Sequence, residues 1–470
     1  MPFPDVVSPQ ARRALADVEF QPYWLTDAQR PAAQSALTAD IEADLVIVGG
    51  GFSGLWTAYE ARRRFPDWSV VLLEGDRIAA GATGRNGGFV AASLTHGLGN
   101  GIARWPNDMP ELTRQGQDNL DSIVATIEDE RIDCDLVRSG ELDVAVETYQ
   151  VDELRQAVAD ATALGLPWEF LNRDEVRSRV DSPTYHAGML DPSGVVMVDP
   201  ARLAWGLAAA AERQGAVIYE GTRVTRLERS GAGVKVTTEL GSVRAARVAL
   251  ATSAYPPLLH RLGHYVVPVY DSVLMTEPLS EDQRAAIGWR GREGVGDAGN
   301  QFHYYRMTQD QRILWGGYDA SYYGDFNPMH ERQGAPFARL AEHFRYTFPQ
   351  VEELRFTHAW AGAIDTCSRF SAFWGTAYGG RLTYSLGFTG LGVGASRFGA
   401  QVMLDLLSGE ETERTALTMV QTKPIPFPPA PLRGIGIGIT RRAIDRADRN
   451  EGRRGPWLRL LDRVGLGFDS

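Results

Sequence analysis

The stretch ADLVIVGGGFSGLWTAYEARRRFPDWSVVLLEGDRIAAGATGRNGGFV, residues 43–90, decides the fold. Residues 44–48 form a short β-branched run that passes straight into glycine, apolar residues recur at helical spacing from Leu55, and SVVLLE returns to a strand pattern. Strand, glycine turn, helix and strand make a βαβ unit. Gly49, Gly51 and Gly54 satisfy G-x-G-x-x-G: the first permits the tight turn, the second lets the backbone approach a pyrophosphate, and the third lets the helix lie close to the strand. The unpaired N–H groups of the helix N-terminus then face the phosphates. Glu74 closes the unit about 20 residues past the glycines, where a carboxylate accepts from a ribose hydroxyl and disfavours a 2′-phosphate, so NADP is not expected.

Context gives this motif its weight. GVGDAG, with Gly294, Gly296 and Gly299, has the same spacing but no apolar strand before it and no helix after it, and GIGIG from Gly434 is another accidental cluster. The first unit leaves the choice between NAD and FAD open. Two further segments favour a cofactor stretched across the domain: the small-residue loop GDRIAAGATGRNGGFV, with Thr83, Arg85 and Asn86, and a late glycine turn, GFTGLGVGAS. The latter opens a helix whose N-terminus suits negative charge developing on a reduced ring.

The remaining composition bounds the class. A chain of 470 residues suggests two or three domains, and 44% apolar with 23% charged residues is ordinary for a globular protein. A net charge of −11 argues against a nucleic-acid partner. MPFPDVVSPQARRALADVEFQ lacks a basic segment followed by an apolar core, and no later run reaches the length of a membrane span, so the cytoplasm is the expected location. Cys134 and Cys367 are the two cysteines and no CxxC occurs, so electrons would have to travel on a bound cofactor. His260 and His264 are read as a surface helix, and no metal site is expected.

The expected architecture is α/β: a Rossmann-like dinucleotide domain interleaved with an α+β substrate domain built on an antiparallel sheet. Residues 1–43 are a preamble; 44–95, 195–257 and 357–415 form the dinucleotide domain; 96–194 and 258–356 form the substrate domain. Residues 416–470 are a proline-rich spacer, KPIPFPPAP, and a basic amphipathic tail with Trp457, Leu458 and Leu461 facing inward. The tail is read as docking on the body, with contact to a membrane surface as the alternative.

The glycine fingerprint with Glu74, GATGRNGG, VALATSAY and GFTGLGVGA, in this order, resemble the D-amino-acid-oxidase-like family of FAD-dependent oxidoreductases over residues 44–409. LMTEPLSE and YYR…LWGG are similar to its γ-glutamylputrescine oxidase branch. The resemblance implies noncovalent FAD and hydride transfer from a C–N bond to flavin N5. It also implies that Gly49, Gly51, Phe52, Ser53 and Gly54 cradle the pyrophosphate and that Glu74 holds the adenosine ribose. Thr83, Arg85, Asn86, Gly87 and Gly88 would lie along the ribityl chain and ring, Val224 would contact the adenine through its backbone, Gly390, Leu391 and Gly392 would lie at the pyrimidine ring, and Thr252 would also bind the cofactor.

Two carboxylate anchors of related branches are missing by position. Ile364 stands where the amino-acid oxidases carry an arginine, and Gly394 where sarcosine-oxidase-like members carry a lysine. An amine is therefore expected as substrate, giving an imine that hydrolyses to an aldehyde, with oxygen or another electron acceptor; Arg306 or Arg85 remain possible anchors for an amino acid. Tyr304 matches a substrate-facing tyrosine of the sarcosine-oxidase branch, and Trp315 falls at its oxygen-activating lysine. Strand alternation puts Phe302, Tyr304 and Arg306 on one face and His303 and Tyr305 on the other, and this aromatic cluster is read as a pocket for an ammonium group. Cys367 lies about five residues past the family's flavin-linking cysteine. A flavin hydroxylase and a non-catalytic flavoprotein are the alternatives.

Overall fold

A computed structural model of the chain describes residues 3–466. Two eight-stranded sheets face each other across a large cavity. In the first, Leu382–Leu386, Ser242–Leu250, Asp40–Val48, Val70–Leu73 and Val217–Tyr219 run parallel in that spatial order, with Phe373–Ala377 antiparallel at one edge. Leu45 to Val48 are buried because helices and a β-meander cover the two faces, as a parallel sheet requires. On one face the Phe52–Arg64 helix packs between Gly392–Ser408 and Pro200–Arg213. The antiparallel strands Val224–Ser230 and Gly233–Thr238 hang from Ser242–Leu250. This is the expected Rossmann-like layer.

The second sheet runs Phe356–Thr366, Val267–Thr276, Ile313–Gly317, His303–Met307, Gly294–Asp297, Glu141–Ala145, Ala187–Asp191 and Glu169–Leu171, antiparallel except where Gly294–Asp297 lies beside Glu141–Ala145. The GVGDAG decoy is therefore itself a strand of the substrate sheet. Behind the sheet, the Gly334–Thr347 helix buries Phe337, Leu340 and Phe344, and the Pro9–Ala14 helix packs on it. The expected division at residue 357 does not follow the sheets. Phe356–Thr366 pairs along its length with Val267–Thr276 and so belongs to the substrate layer.

The tail is more than a spacer. Residues 422–427 hydrogen-bond to Arg369, Ser368 and His264 at one side of the cavity. The Leu432–Asp448 helix then crosses the opening, and Asp448 accepts from Asn300 and Gln301 of the substrate layer. Pro456–Arg463 packs against that helix, with Leu458 buried and Trp457 Nε1 donating to Thr440 Oγ1 at 3.0 Å.

The Phe52–Arg64 helix lies on its strand through a close backbone contact. A Cβ on Gly54 would overlap the Gly49 carbonyl oxygen and reach Ile47 Cγ2 at 3.3 Å. Gly54→Ala is expected to push the Phe52–Arg64 helix off its strand, lowering the melting temperature and leaving purified protein with little visible flavin absorbance. Protein that melts normally and is fully yellow would contradict this.

Candidate active site

A cavity of about 2080 Å³ runs from the first glycine turn to the substrate sheet. Drug-sized ligands occupy about 300–1,000 Å³, so there is room for a dinucleotide and a second molecule. At its phosphate end Gly49 has φ +113°, a conformation that favours glycine, and Gly51 begins the Phe52–Arg64 helix. A Cβ on Gly51 would lie 2.9 Å from Thr83 Oγ1, which accepts from the Phe52 N–H at 3.0 Å. Ser53 Oγ is buried with no partner. Glu74 accepts from the Gly50 N–H at 2.6 Å and the Asp76 N–H at 2.8 Å, and burial raises its pKa against those two bonds. An orphaned hydroxyl over an open helix N-terminus, with glycines where side chains would intrude, fits a diphosphate.

Two indoles fix the next loop. Trp24 Nε1 donates to the Asn86 carbonyl at 2.9 Å and Trp360 Nε1 to the Arg85 carbonyl at 2.8 Å. The Asn86 side chain donates to the Thr83 carbonyl and accepts from the Gly88 N–H. Arg85 Nη2 pairs with Glu331 at 3.2 Å. Opposite, Gly390, Leu391 and Gly392 bring the Gly392–Ser408 helix N-terminus to the cavity. Gly394 packs against the Ala91 carbonyl, where no side chain fits, so a lysine is sterically barred at that position. Cys367 lines the cavity; its thiol donates to the Ser371 carbonyl at 3.2 Å, and burial raises its pKa.

The floor is a row set by strand register: Asp143, Gly296, Tyr304, Gly316 and Val273 lie side by side on five adjacent strands. Tyr304 leans across Gly316, and its hydroxyl donates to Asp271 Oδ2 at 2.6 Å. A Cβ on Gly87 would sit 2.9 Å from the Tyr304 ring, which places Tyr304 against the Arg85–Gly88 loop. Burial pushes the Asp271 carboxyl up to about 6, opposed by Tyr304 and the Ser272 N–H. Asp143 and Glu141 also face the cavity; burial raises both, helped by repulsion from Asp143 and Asp191 at Glu141 and from Asp191 and Asp297 at Asp143.

The register separates the sequence-predicted residues. Tyr304 lines the cavity, as do Gly49, Gly51, Phe52, Ser53, Glu74, Thr83, Arg85, Asn86, Gly87, Val224, Thr252, Gly390, Leu391 and Gly392. Gly54 and Gly88 lie just behind it, Gly88 against the Val198 carbonyl. Trp315 does not line the cavity: it pairs with Tyr305, not Tyr304, and is fully buried on the far face against Phe344 and Phe348. His303 shares that face, its Nδ1 2.6 Å from Asp297 and its Nε2 2.9 Å from His343, with burial lowering its pKa to about 3. Arg306 is on the cavity side of its strand but is spent as a bracket between layers, donating to the Val198 carbonyl and pairing with Asp135 at 3.5 Å. The aromatic pocket expected around these residues is thus reduced to Tyr304 and its neighbours Phe302 and Tyr318. Asp271, Asp143 and Glu331, and the tail residues over the opening, were not singled out from sequence. Asp271 shares a strand face with Val273, and Asp143 with Glu141, and no sequence signal separated that face from a solvent-facing one.

Residues 44–406 match the family described as FAD dependent oxidoreductase. The chain belongs to that family. It is 30% identical to gamma-glutamylputrescine oxidoreductase of Escherichia coli over 414 residues, covering 86% of this chain and 92% of that protein. It is 28% identical to the probable oxidoreductase OrdL of Rhizobium meliloti over 397 residues, covering 82% and 87%. Among solved structures, glycine oxidase from Geobacillus kaustophilus superposes with a TM-score of 0.70 at 22% identity, covering 82% of this chain and all but 1% of that one (99%). The chain is therefore an FAD-dependent oxidoreductase of the family that acts on amines or amino acids, and the cavity fits its cofactor.

Trp315→Ala removes a core indole rather than a reacting group. It is expected to lower unfolding free energy by about 3–5 kcal/mol in urea titration, while the folded fraction keeps its flavin and its KM. A large change in KM with unchanged stability would return Trp315 to the site.

Proposed function

We propose that the enzyme oxidises the C–N bond of a primary or secondary amine to an imine, which water hydrolyses to an aldehyde, with FAD held noncovalently. Bound FAD would supply the two-electron acceptor for the hydride lost from the carbon beside nitrogen, the nitrogen lone pair completing the C=N bond. The carrying observation is the Asp271–Tyr304 pair, a carboxylate on the cavity floor beside the ring-holding loop. An amine arrives protonated and must lose that proton before its lone pair is free. Above its pKa of about 6, Asp271 accepts the ammonium proton, and Tyr304 holds the carboxylate in place. Ile364 lines the cavity where related branches carry an arginine, and Gly394 excludes a lysine, so neither offers a carboxylate a cation. The raised pKa of Cys367 keeps its thiol protonated, which supports the noncovalent reading.

Arg85 favours a second reading. It lines the cavity with a buried, unpartnered Nε, and a substrate carboxylate displacing Glu331 would make an amino acid the substrate. Anaerobic additions to the holoenzyme decide between these. Primary and secondary amines are expected to bleach the flavin faster than glycine, sarcosine or any D-amino acid, and NADH or NADPH not at all. Preferential bleaching by an amino acid would overturn the amine reading, and bleaching by a nicotinamide would replace it with a hydroxylase.

The Asp271 chemistry has a definite pH sign. Protonation below about 6 removes the acceptor, so kcat/KM is expected to fall as pH drops through about 6. Asp271→Asn should lose that limb and run about 10²–10⁴-fold slower. The opposite sign holds for stability. A carboxyl whose folded pKa is about 6 binds its proton more tightly than in the unfolded chain, at about 3.9, so stability falls as pH rises between those values. The slow Asp271→Asn variant should therefore melt no lower, and above pH 6 higher, than the parent. A variant that is slow only because it unfolds would refute the assignment.

A further inference from the structure

The C-terminal tail carries nine arginines against four acidic residues over 432–466, in a chain whose net charge is −11. Its first helix, Leu432–Asp448, has two working faces. Gly436, Ile437, Thr440 and Ile444 line the cavity. On the opposite side Leu432 is 60% exposed, Ile435 56% and Ile439 41%, and the exposed Arg442 and Arg446 continue the same stripe at helical spacing. A helix that docks on protein by one face ordinarily turns polar residues to solvent, whereas this outward stripe is apolar for its first two turns. Pro456–Arg463 repeats the arrangement: Leu458 is buried, while Leu460 (49%) and Val464 (48%) are exposed beside Arg459 and Arg463. The ion pairs of the tail are made by Arg449, Arg453 and Arg454, and Arg433 and Arg441 line the cavity, which leaves Arg442, Arg446, Arg459 and Arg463 exposed and without an ion pair among the described residues.

We propose that this helix pair docks on an anionic lipid surface. Its exposed leucine, isoleucine and valine side chains enter the boundary between headgroups and acyl chains, and its unpaired arginines meet lipid phosphates. Exposed apolar side chains alternating with arginine, on a protein otherwise acidic, are the combination such a surface selects. No helix among the described residues is long and apolar enough to cross a membrane, so the contact is peripheral. A second copy of the chain is a poorer occupant, because a two-fold contact would bring the same arginines face to face. The docking helix also roofs the cavity, so docking holds the cavity opening at the lipid boundary.

Flotation of the FAD-loaded full chain with phosphatidylcholine vesicles, with and without phosphatidylglycerol, tests this. Binding should be at least about tenfold tighter to the anionic vesicles and should disappear at high salt. The triple variant L432S/I435S/I439S and the double variant R442Q/R446Q should each weaken it while keeping parental flavin content and circular dichroism. Because both sets of side chains face solvent, folding is expected to survive; were the serine variant to misfold, the arginine variant and the salt series decide alone. Equal affinity for both vesicle types, or none, overturns the proposal. So does a concentration-dependent dimer in sedimentation velocity that the serine variant abolishes, since that assigns the stripe to a second copy.

Discussion

Backbone against backbone at Gly54 and the Gly49 carbonyl is the contact on which the site rests. It sets the Phe52–Arg64 helix so that its N-terminus opens at the carboxyl edge of the parallel sheet. Parallel strands all finish at one edge, so the turns after Val48, Leu73, Leu250 and Leu386 converge there. Gly49, Glu74, Thr252 and Gly390 share one cavity for that reason, although they are far apart in sequence. A methyl group at position 54 would disturb every one of these placements through a single shift.

Residues 43–90 were readable because three signals agree within one short span: the period changes from strand to helix and back, glycines fall where side chains cannot, and an acid ends the second strand. The substrate sheet was only half readable. Alternation correctly put Tyr304 and His303 on opposite faces, but it says nothing about which residue of a neighbouring strand lies alongside. That depends on the turn in which Thr308 N–H meets the Arg312 carbonyl. With this turn Trp315 pairs with Tyr305 and goes to the far side, and a register one residue different would have turned it to the cavity side. Arg306 shows a different limit: its face was right, but Asp135 and the Val198 carbonyl, distant in sequence, had already claimed it.

Asp271 and Asp143 escaped notice for a related reason. In VYDSVLMT a lone acid, and in GELDVAVE the alternate acids Glu141 and Asp143, look like the solvent side of a half-buried strand. Only when the second sheet closes against the first does that side become the floor of a cavity. Closure then changes the chemistry of residues that the sequence presents as ordinary surface acids, since burial is the first cause of the raised pKa at both positions.

Charge pairing around the cavity leaves Asp271 without a cation of its own. Arg85 is held by Glu331, and Arg306 and Arg292 both converge on Asp135. The guanidinium groups nearest the floor thus already have carboxylates of their own, and Asp271 has a tyrosine hydroxyl and backbone N–H groups instead of a cation. A buried carboxylate without a cationic partner is unfavourable for folding and attractive to a cation that arrives later. Under the proposed amine reading, the same arrangement would give an ammonium ion a favourable position next to the loop that Trp24 and Trp360 hold. Releasing Arg85 from Glu331 would put a free cation in the same cavity, so on the proposed reading the choice between amine and amino acid would depend on an ion pair at the edge as much as on the residues at the floor.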